Sequence, residues 1–261
     1  MSEEPLSLEV ADGVATITLR RPDSLNSLNL ALKRALADAL AESARRDDVR
    51  AVLLTGEGRA FCAGSDITEM EPGRAPIVQR NRMMHVIDEI IVPITEMEKP
   101  VVAAVNGHAH GLGFSLALAC DLVVAAERAL FSFAFARLGL APDGGAAYFL
   151  TRRVPIQVAK DLLFTARRID AAQAQRLGLI NRVVADDELA EEAATLAREL
   201  AAGPTLAFGL TKRLLDQAAT LPLAQVGELE SVNQSMLVQS RDFAEATRAF
   251  LEKRSFDFEG R

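Results

Sequence analysis

Apolar and polar positions alternate with a period of two over Leu6-Ser7-Leu8-Glu9-Val10 and again over Val14-Ala15-Thr16-Ile17-Thr18-Leu19. Asp12-Gly13 lies between the two runs, and alternation on both sides of Asp-Gly signals a β-hairpin. Arg20-Arg21-Pro22-Asp23 ends the second strand. From Asn29 to Arg46 leucines and alanines recur at helical spacing, which predicts an amphipathic helix. Ala51-Val52-Leu53-Leu54-Thr55 reads as a buried strand closed by Gly56-Glu57-Gly58. Residues 76–98 read as mostly helical, with Pro93 as a kink or break. Met83, Met84, Val86, Ile87, Ile90 and Ile91 recur there at helical spacing, as core or pocket wall. Val101 to Val105 is a second buried strand, and Asn106-Gly107 a turn. After Gly111 and Gly113 the chain is almost wholly apolar to Cys120, the pattern of a helix buried on all sides. Asp121 to Ala126 is another buried strand, Leu130 to Phe135 is short and aromatic, and Gly139 to Gly145 is a loop that starts a helix. Helices follow over Pro155–Ala166 and Asp170–Leu177, then a short strand over Ile180–Val184 and a helix over Asp186–Ala201.

Gly203-Pro204 is the clearest boundary, and beyond it the pattern is helical through Leu251, with a mixed tail from Glu252 to Phe258. The expected organisation is an α/β core over residues 1–200 and a helical region over 201–261. The terminal helices are amphipathic, so their apolar face needs a cover, either another subunit or the chain's own core.

Composition narrows the function. The 261 residues are 49% hydrophobic and 25% charged, an ordinary globular balance. A net charge of −7 without a Lys/Arg cluster argues against nucleic acid as a partner. Met1-Ser2-Glu3-Glu4-Pro5 is acidic and shows no signal peptide, and no apolar run is long and pure enough to span a bilayer. The two cysteines, Cys62 and Cys120, have apolar neighbours and no metal-type spacing, which fits free thiols in a reducing cytoplasm. The three histidines are too poorly spaced for a metal site, with His108 and His110 on different sides of any helix.

The strand, turn and helix of residues 101–121 carry candidate chemistry. A buried helix start leaves N–H groups without intrahelical partners, glycine lets a ligand approach the backbone, and the helix dipole adds partial positive charge. Such a place suits an oxygen that bears or develops negative charge. A tight turn whose glycines serve packing alone is the other reading. Small residues around Gly64 suggest a second close approach to the backbone. Asp66 reads as the N-cap of a short helix.

Ala60-Phe61-Cys62-Ala63-Gly64-Ser65-Asp66-Ile67, Asn106-Gly107 through Gly113, and Gly139-Leu140-Ala141-Pro142-Asp143-Gly144-Gly145 resemble the crotonase superfamily, the enoyl-CoA hydratase/isomerase family. The tail Phe250-Leu251-Glu252-Lys253-Arg254 resembles that family's C-terminal signature, and the segments occur in the family's order along nearly the whole chain. The resemblance implies a spiral of ββα units with a C-terminal helical trimerisation region, assembled as a homotrimer or a dimer of trimers. It implies an acyl-CoA substrate, with coenzyme A entering as part of the thioester and no separate cofactor or metal. It also implies an oxyanion hole from the N–H groups of Ser65 and Leu112. The backbone and side chains of Ala60, Ala63, Gly64, Asp66, Ile67, Gly111, Phe135 and Pro142 would then contact substrate. Lys253 is either a solvated charge or the group that meets a CoA phosphate at a neighbouring subunit.

The departures from the family pattern set the expected chemistry. The two glutamates with which family hydratases activate water fall at Ser115 and Phe135, and the central glycine of the family's Gly-Gly-Gly is Leu112. Neither Ser115 nor Phe135 is a general base at neutral pH. One acid remains in a suitable place, Asp143, where family isomerases resemble this chain. Asp143 either caps the following helix or transfers protons; the roles need not exclude each other. Isomerisation needs one acid and no water: a base removes the α-proton, the oxyanion hole holds the dienolate, and the same acid returns the proton further along. A hydratase with unusual acid/base groups and a non-catalytic acyl-CoA binder are the alternatives. Phe114, Phe131, Phe133, Phe135, Tyr148 and Phe149 are available to dry the pocket, at least half of them as ordinary core.

Overall fold

Asp12 and Gly13 both take positive φ, 51° and 76°, a turn whose twist suits the flanking strands. Strand β1 (Leu6–Ala11) accordingly pairs antiparallel with β2 (Val14–Leu19), from Leu6 opposite Leu19 to Ala11 opposite Val14. The structure, a computed structural model, describes residues 4–70 and 73–261. Helix α1 (Leu30–Arg45) starts at Asn29, whose side chain accepts from Leu32 N, and buries Leu32, Leu36, Ala39 and Leu40.

Three similar turns of chain follow. Strands β3 (Ala51–Gly56) and β4 (Ala60–Cys62) lead to α2 (Pro76–Val86) and α3 (Val92–Glu96). Strands β5 (Val101–Val105) and β6 (His108–His110) lead to α4 (Leu112–Ala119). Strands β7 (Leu122–Ala126) and β8 (Leu130–Ser132) lead, through a 3₁₀ turn at Ala134–Leu138, to α5 (Ala146–Arg153). The first strand of each pair joins a six-stranded sheet ordered β1-β2-β3-β5-β7-β10, completed by β10 (Arg182–Val184). The second joins a four-stranded sheet ordered β4-β6-β8-β9, completed by β9 (Ile169–Asp170). The chain is therefore a spiral of ββα turns, with α6 (Ile156–Thr165), α7 (Ala171–Arg176) and α8 (Leu189–Ala201) packed around it. The larger apolar core fills the space between the sheets and α1, α3 and α4; a smaller one lies between the outer face of the large sheet and α8.

Two local expectations change. The strands of the small sheet are too short for a periodic signal, and β6 puts His108 and His110 on one side of a strand, with ring centroids 5.3 Å apart, rather than on two sides of a helix. No group of side chains among the described residues is suited to a metal. Pro93 does not break its helix. Ile87–Ile91 forms one wide π turn with Val92 N bonded to Ile87 O, and the helix continues past the residue that lacks an N–H.

Beyond Gly203-Pro204 come α9 (Thr205–Ala218), α10 (Leu223–Leu237) and α11 (Arg241–Glu252). Helix α9 returns to its own core: Gly209 lies against Glu98, and Lys212 Nζ donates to Ile94 O at 2.6 Å and Asp121 Oδ2 at 2.8 Å. The Arg50 guanidinium joins three parts of the chain, donating to Gly203 O, to Thr205 Oγ1 at 3.1 Å and to Phe258 O at 2.6 Å. Helix α10 buries no residue within the chain. No helix among the described residues is long and apolar enough to cross a membrane.

Candidate active site

Two backbone segments converge at the start of α4. Leu28 and Ser65 form an isolated parallel bridge, with Leu28 N donating to Gly64 O at 2.8 Å and Asp66 N to Leu28 O at 3.2 Å. The Ser65 N–H is thereby turned to the opposite edge. Gly64 has φ +100°, and a Cβ there would stand 2.7 Å from His110 O and 3.3 Å from Leu112 N. Gly111, at φ 52° and ψ −122°, is held by its N–H on Ser132 O at 2.8 Å and turns the chain into α4. Leu112 is the first helical residue, so its amide has no partner within the helix. Among the described residues neither the Ser65 nor the Leu112 amide donates to a protein acceptor. Both residues line one cavity of about 270 Å³.

Asp143 lines the same cavity, in a loop that ends with Gly144 and Gly145 at φ 59° and 79°. A Cβ on Gly144 would run into Leu112 Cδ1, so the loop rests directly on the start of α4. The main-chain carbonyl of Asp143 accepts from Ser115 Oγ and from Ala146 N, each at 3.1 Å. Its carboxyl caps nothing: Gly145 occupies the N-cap of α5, and Asp143 Oδ1 is buried without a hydrogen-bond partner. Capping is thus corrected as the role of this side chain. Burial pushes the Asp143 carboxyl above its usual range, and the Lys33 ammonium opposes that shift.

The other residues singled out in the sequence fall into distinct places. Pro142 and Asp66 line the cavity. The Asp66 carboxylate is the expected cap, accepting from Thr68 N at 3.1 Å and Thr68 Oγ1 at 2.7 Å, and it pairs with Arg21 at 3.0 Å. These Thr68 and Arg21 contacts hold it below its usual range. Ile67 is 62% exposed, next to Asp66 at the rim. Ala60, Ala63, Gly64 and Gly111 build the backbone behind the two free amides rather than the cavity wall. Phe135 is buried under the Gly111 turn, where a Cβ on residue 111 would stand 3.7 Å from its ring, and it does not line the cavity. Lys253 is exposed at the end of α11 and does not line the cavity of its own chain. Phe114, Phe131 and Phe133 are core, with Phe114 4.8 Å from Phe131 and 4.6 Å from Phe133. Tyr148 and Phe149 instead line a second cavity of about 570 Å³, which shares Ile87 and Gly145 with the first.

Sequence reasoning missed Lys33, Glu69 and Arg82, which also line the site. Glu69 accepts from Leu30 N at 2.9 Å and faces Arg82 at 3.7 Å. The signal for Lys33 was its place three residues before buried Leu36 and seven before buried Leu40, on the apolar stripe of α1.

Two unused amide donors on one cavity with a half-buried, unpartnered carboxyl can polarise a carbonyl and move a proton next to it. Known proteins resemble the chain over nearly its whole length. The family model for enoyl-CoA hydratase/isomerase matches residues 9–261. The 1,2-epoxyphenylacetyl-CoA isomerase of Escherichia coli K12 is 40% identical over 97% of each chain. The 4-chlorobenzoyl coenzyme A dehalogenase-2 of an Arthrobacter species is 35% identical over 97% of this chain and 92% of its own. A solved enoyl-CoA hydratase from Polaromonas sp. JS666 superposes with a TM-score of 0.92 at 34% identity, covering 97% of this chain and 99% of that one.

Proposed function

The chain belongs to the enoyl-CoA hydratase/isomerase family of acyl-CoA enzymes, and we propose that within it the protein is an isomerase, moving a double bond along an acyl thioester by proton transfer through Asp143. The observation that carries this is half-buried Asp143, whose Oδ1 is buried without a hydrogen-bond partner, on the cavity that Ser65 and Leu112 also line. The thioester carbonyl accepts from the Ser65 and Leu112 amides. Asp143 removes a proton α to that carbonyl, the electron pair moves into the carbonyl oxygen, and the two amides stabilise the dienolate. Asp143 then returns the proton further along the acyl group. A donor of this kind is typically worth about 3 to 4 kcal/mol in the transition state.

Hydration fits this cavity less well. Ser115 and Phe135 stand where family hydratases resembled by this chain carry their glutamates, and Asp66 and Glu69 are already engaged by Arg21, Thr68, Leu30 N and Arg82. The acyl group lies toward Asp143, with the second cavity beyond Ile87 and Gly145 as room for a longer or aromatic tail. Coenzyme A is carried by the substrate, and no further cofactor is required. Residues 1–200 serve as the catalytic core and 201–261 as the oligomerisation region of a trimer or dimer of trimers, with Lys253 a candidate for a neighbour's CoA phosphate. Two buried free thiols, Cys62 and Cys120, fit a cytoplasmic enzyme.

The test is Asp143→Asn, assayed with unsaturated straight-chain and aromatic acyl-CoA esters by absorbance and mass. Lost turnover with retained acyl-CoA binding is expected, and undiminished turnover removes the proposal. Oxygen-18 from labelled water appearing in the product would identify a hydratase instead. Absence of turnover in the unsubstituted protein at catalytic concentration, across the panel, would leave a binder.

A further inference from the structure

Lys33 is a cation of the site that the family reading does not use. Lys33 lies one position from buried Leu32 on α1, is half-buried, and lines the cavity with Asp143. Among the described residues it forms no ion pair within 4 Å and no side-chain hydrogen bond. The neighbouring charges are otherwise matched: Asp66 has Arg21, at 3.0 Å, and Glu69 has Arg82, at 3.7 Å. Among the described residues, the Lys33 ammonium on α1 and the Asp143 carboxyl on the loop before α5 both line the cavity without an ion pair within 4 Å.

We propose that Lys33 is an electrostatic positioning residue of this site, the cation that keeps Asp143 a carboxylate, and so a base, in the cavity both line; the inference rests on the reading of Asp143 as the proton-transfer group. The separation suits the role. A direct ion pair would occupy the carboxylate oxygens and block their approach to a substrate carbon. A cation on the same cavity wall, beyond the reach of an ion pair, still acts on the carboxyl through space and leaves its oxygens unoccupied.

The charge balance around both groups is consistent with this. Burial favours neutral Asp143, and the Lys33 charge acts the other way. Burial also disfavours charged Lys33, pulling its titration below the usual range, while Glu69, Asp143, Cys62 and Asp66 all favour the ammonium. Glu69 is the largest of these, so the acid that ties α1 to the segment after Ser65 also keeps Lys33 charged. Glu69, Lys33 and Asp143 thus line one cavity with charges of alternating sign.

The experiment titrates Asp143 directly, by carbon-13 NMR of the full-length protein labelled at aspartate carboxyls, with the resonance assigned by its loss in Asp143→Asn. Wild type is compared with Lys33→Met, Lys33→Gln and Lys33→Arg, each checked for folding by circular dichroism. Asp143 should titrate at higher pH in the Met and Gln variants and close to wild type in the Arg variant. The acid limb of kcat/KM should move in the same order, with activity below the limb falling about tenfold for each pH unit of movement. An Asp143 titration unchanged in both the Met and Gln variants overturns the role of Lys33. An active Asp143→Asn enzyme overturns instead the reading of Asp143, which the NMR titration does not depend on.

Discussion

Ser115 Oγ lies 3.1 Å from the main-chain oxygen of Asp143 and donates to it, so helix α4 holds the loop that presents the acid. The same hydroxyl lies 3.3 Å from Gly111 O, at the turn that exposes the Leu112 amide. One small side chain thus ties the carbonyl-binding end of the site to its proton-transferring end. Ser115→Ala should cost about 1 kcal/mol of stability, the net worth of such a bond, and should lower kcat more than it raises KM. Thermal melts and steady-state kinetics on one substrate check both. Ser115→Glu should not produce hydration, because Ser115 is fully buried with its hydroxyl between Gly111 O and Asp143 O; labelled water would show this.

The amides of Ser65 and Leu112 cannot be deleted by changing a side chain, but their approach can be disturbed. Gly64→Ala puts a methyl against His110 O and Leu112 N at a backbone φ of +100°. If the amides form an oxyanion hole, kcat should fall by about 10²–10³ with binding of a saturated acyl-CoA retained. A variant that folds and turns over normally would remove the oxyanion role.

Asp143 has a stability consequence with a definite sign. Its carboxyl titrates above the usual range because of burial, so between the unfolded and folded values the native state binds the extra proton. Native stability from this group is therefore highest at low pH and falls as pH rises through the window. Activity runs oppositely, since the base must be ionised, and is lost as pH falls through the same window. Asp143→Asn should melt higher than wild type at neutral pH, by about 2–4 °C for each kcal/mol relieved, and the gap should close in acid. Calorimetry across pH is the measurement.

The helical region has apolar surface that the chain leaves uncovered. Leu223, Phe250 and Leu251 are 86%, 76% and 75% exposed. A trimer covering them should run at three times 28.1 kDa in light scattering. Phe250→Asp with Leu251→Asp should shift it to a monomer.

Much of the fold was written in local pattern. The hairpin at Asp12-Gly13, the stripe of α1 and the uniformly apolar α4 each follow from periods or turn residues that a few neighbours determine. The small sheet was not legible, because strands such as Ala60–Cys62 and His108–His110 have three residues each and no period to read. Pro93 misled for a related reason: a proline signals a lost N–H, and whether the helix breaks or widens into a π turn depends on what packs against it. At the site, motif singled out Ser65, Leu112 and Asp143, which line one cavity, while Lys33 carried no motif, only its place on the stripe of α1. Phe135 was assigned to the substrate by position in the chain; its ring is instead committed beneath Gly111.

The Arg50 guanidinium spans the junction of the two regions by grasping Gly203, Thr205 and Phe258 together. A nascent chain that has been synthesised only as far as residue 250 already contains α9 and most of α11, yet still lacks the acceptor that closes this clasp. The third hold of Arg50 is consequently made last, from the far end, and shortening the chain before Phe258 should weaken the grip on Gly203 and Thr205 without touching a residue of α9 or β3.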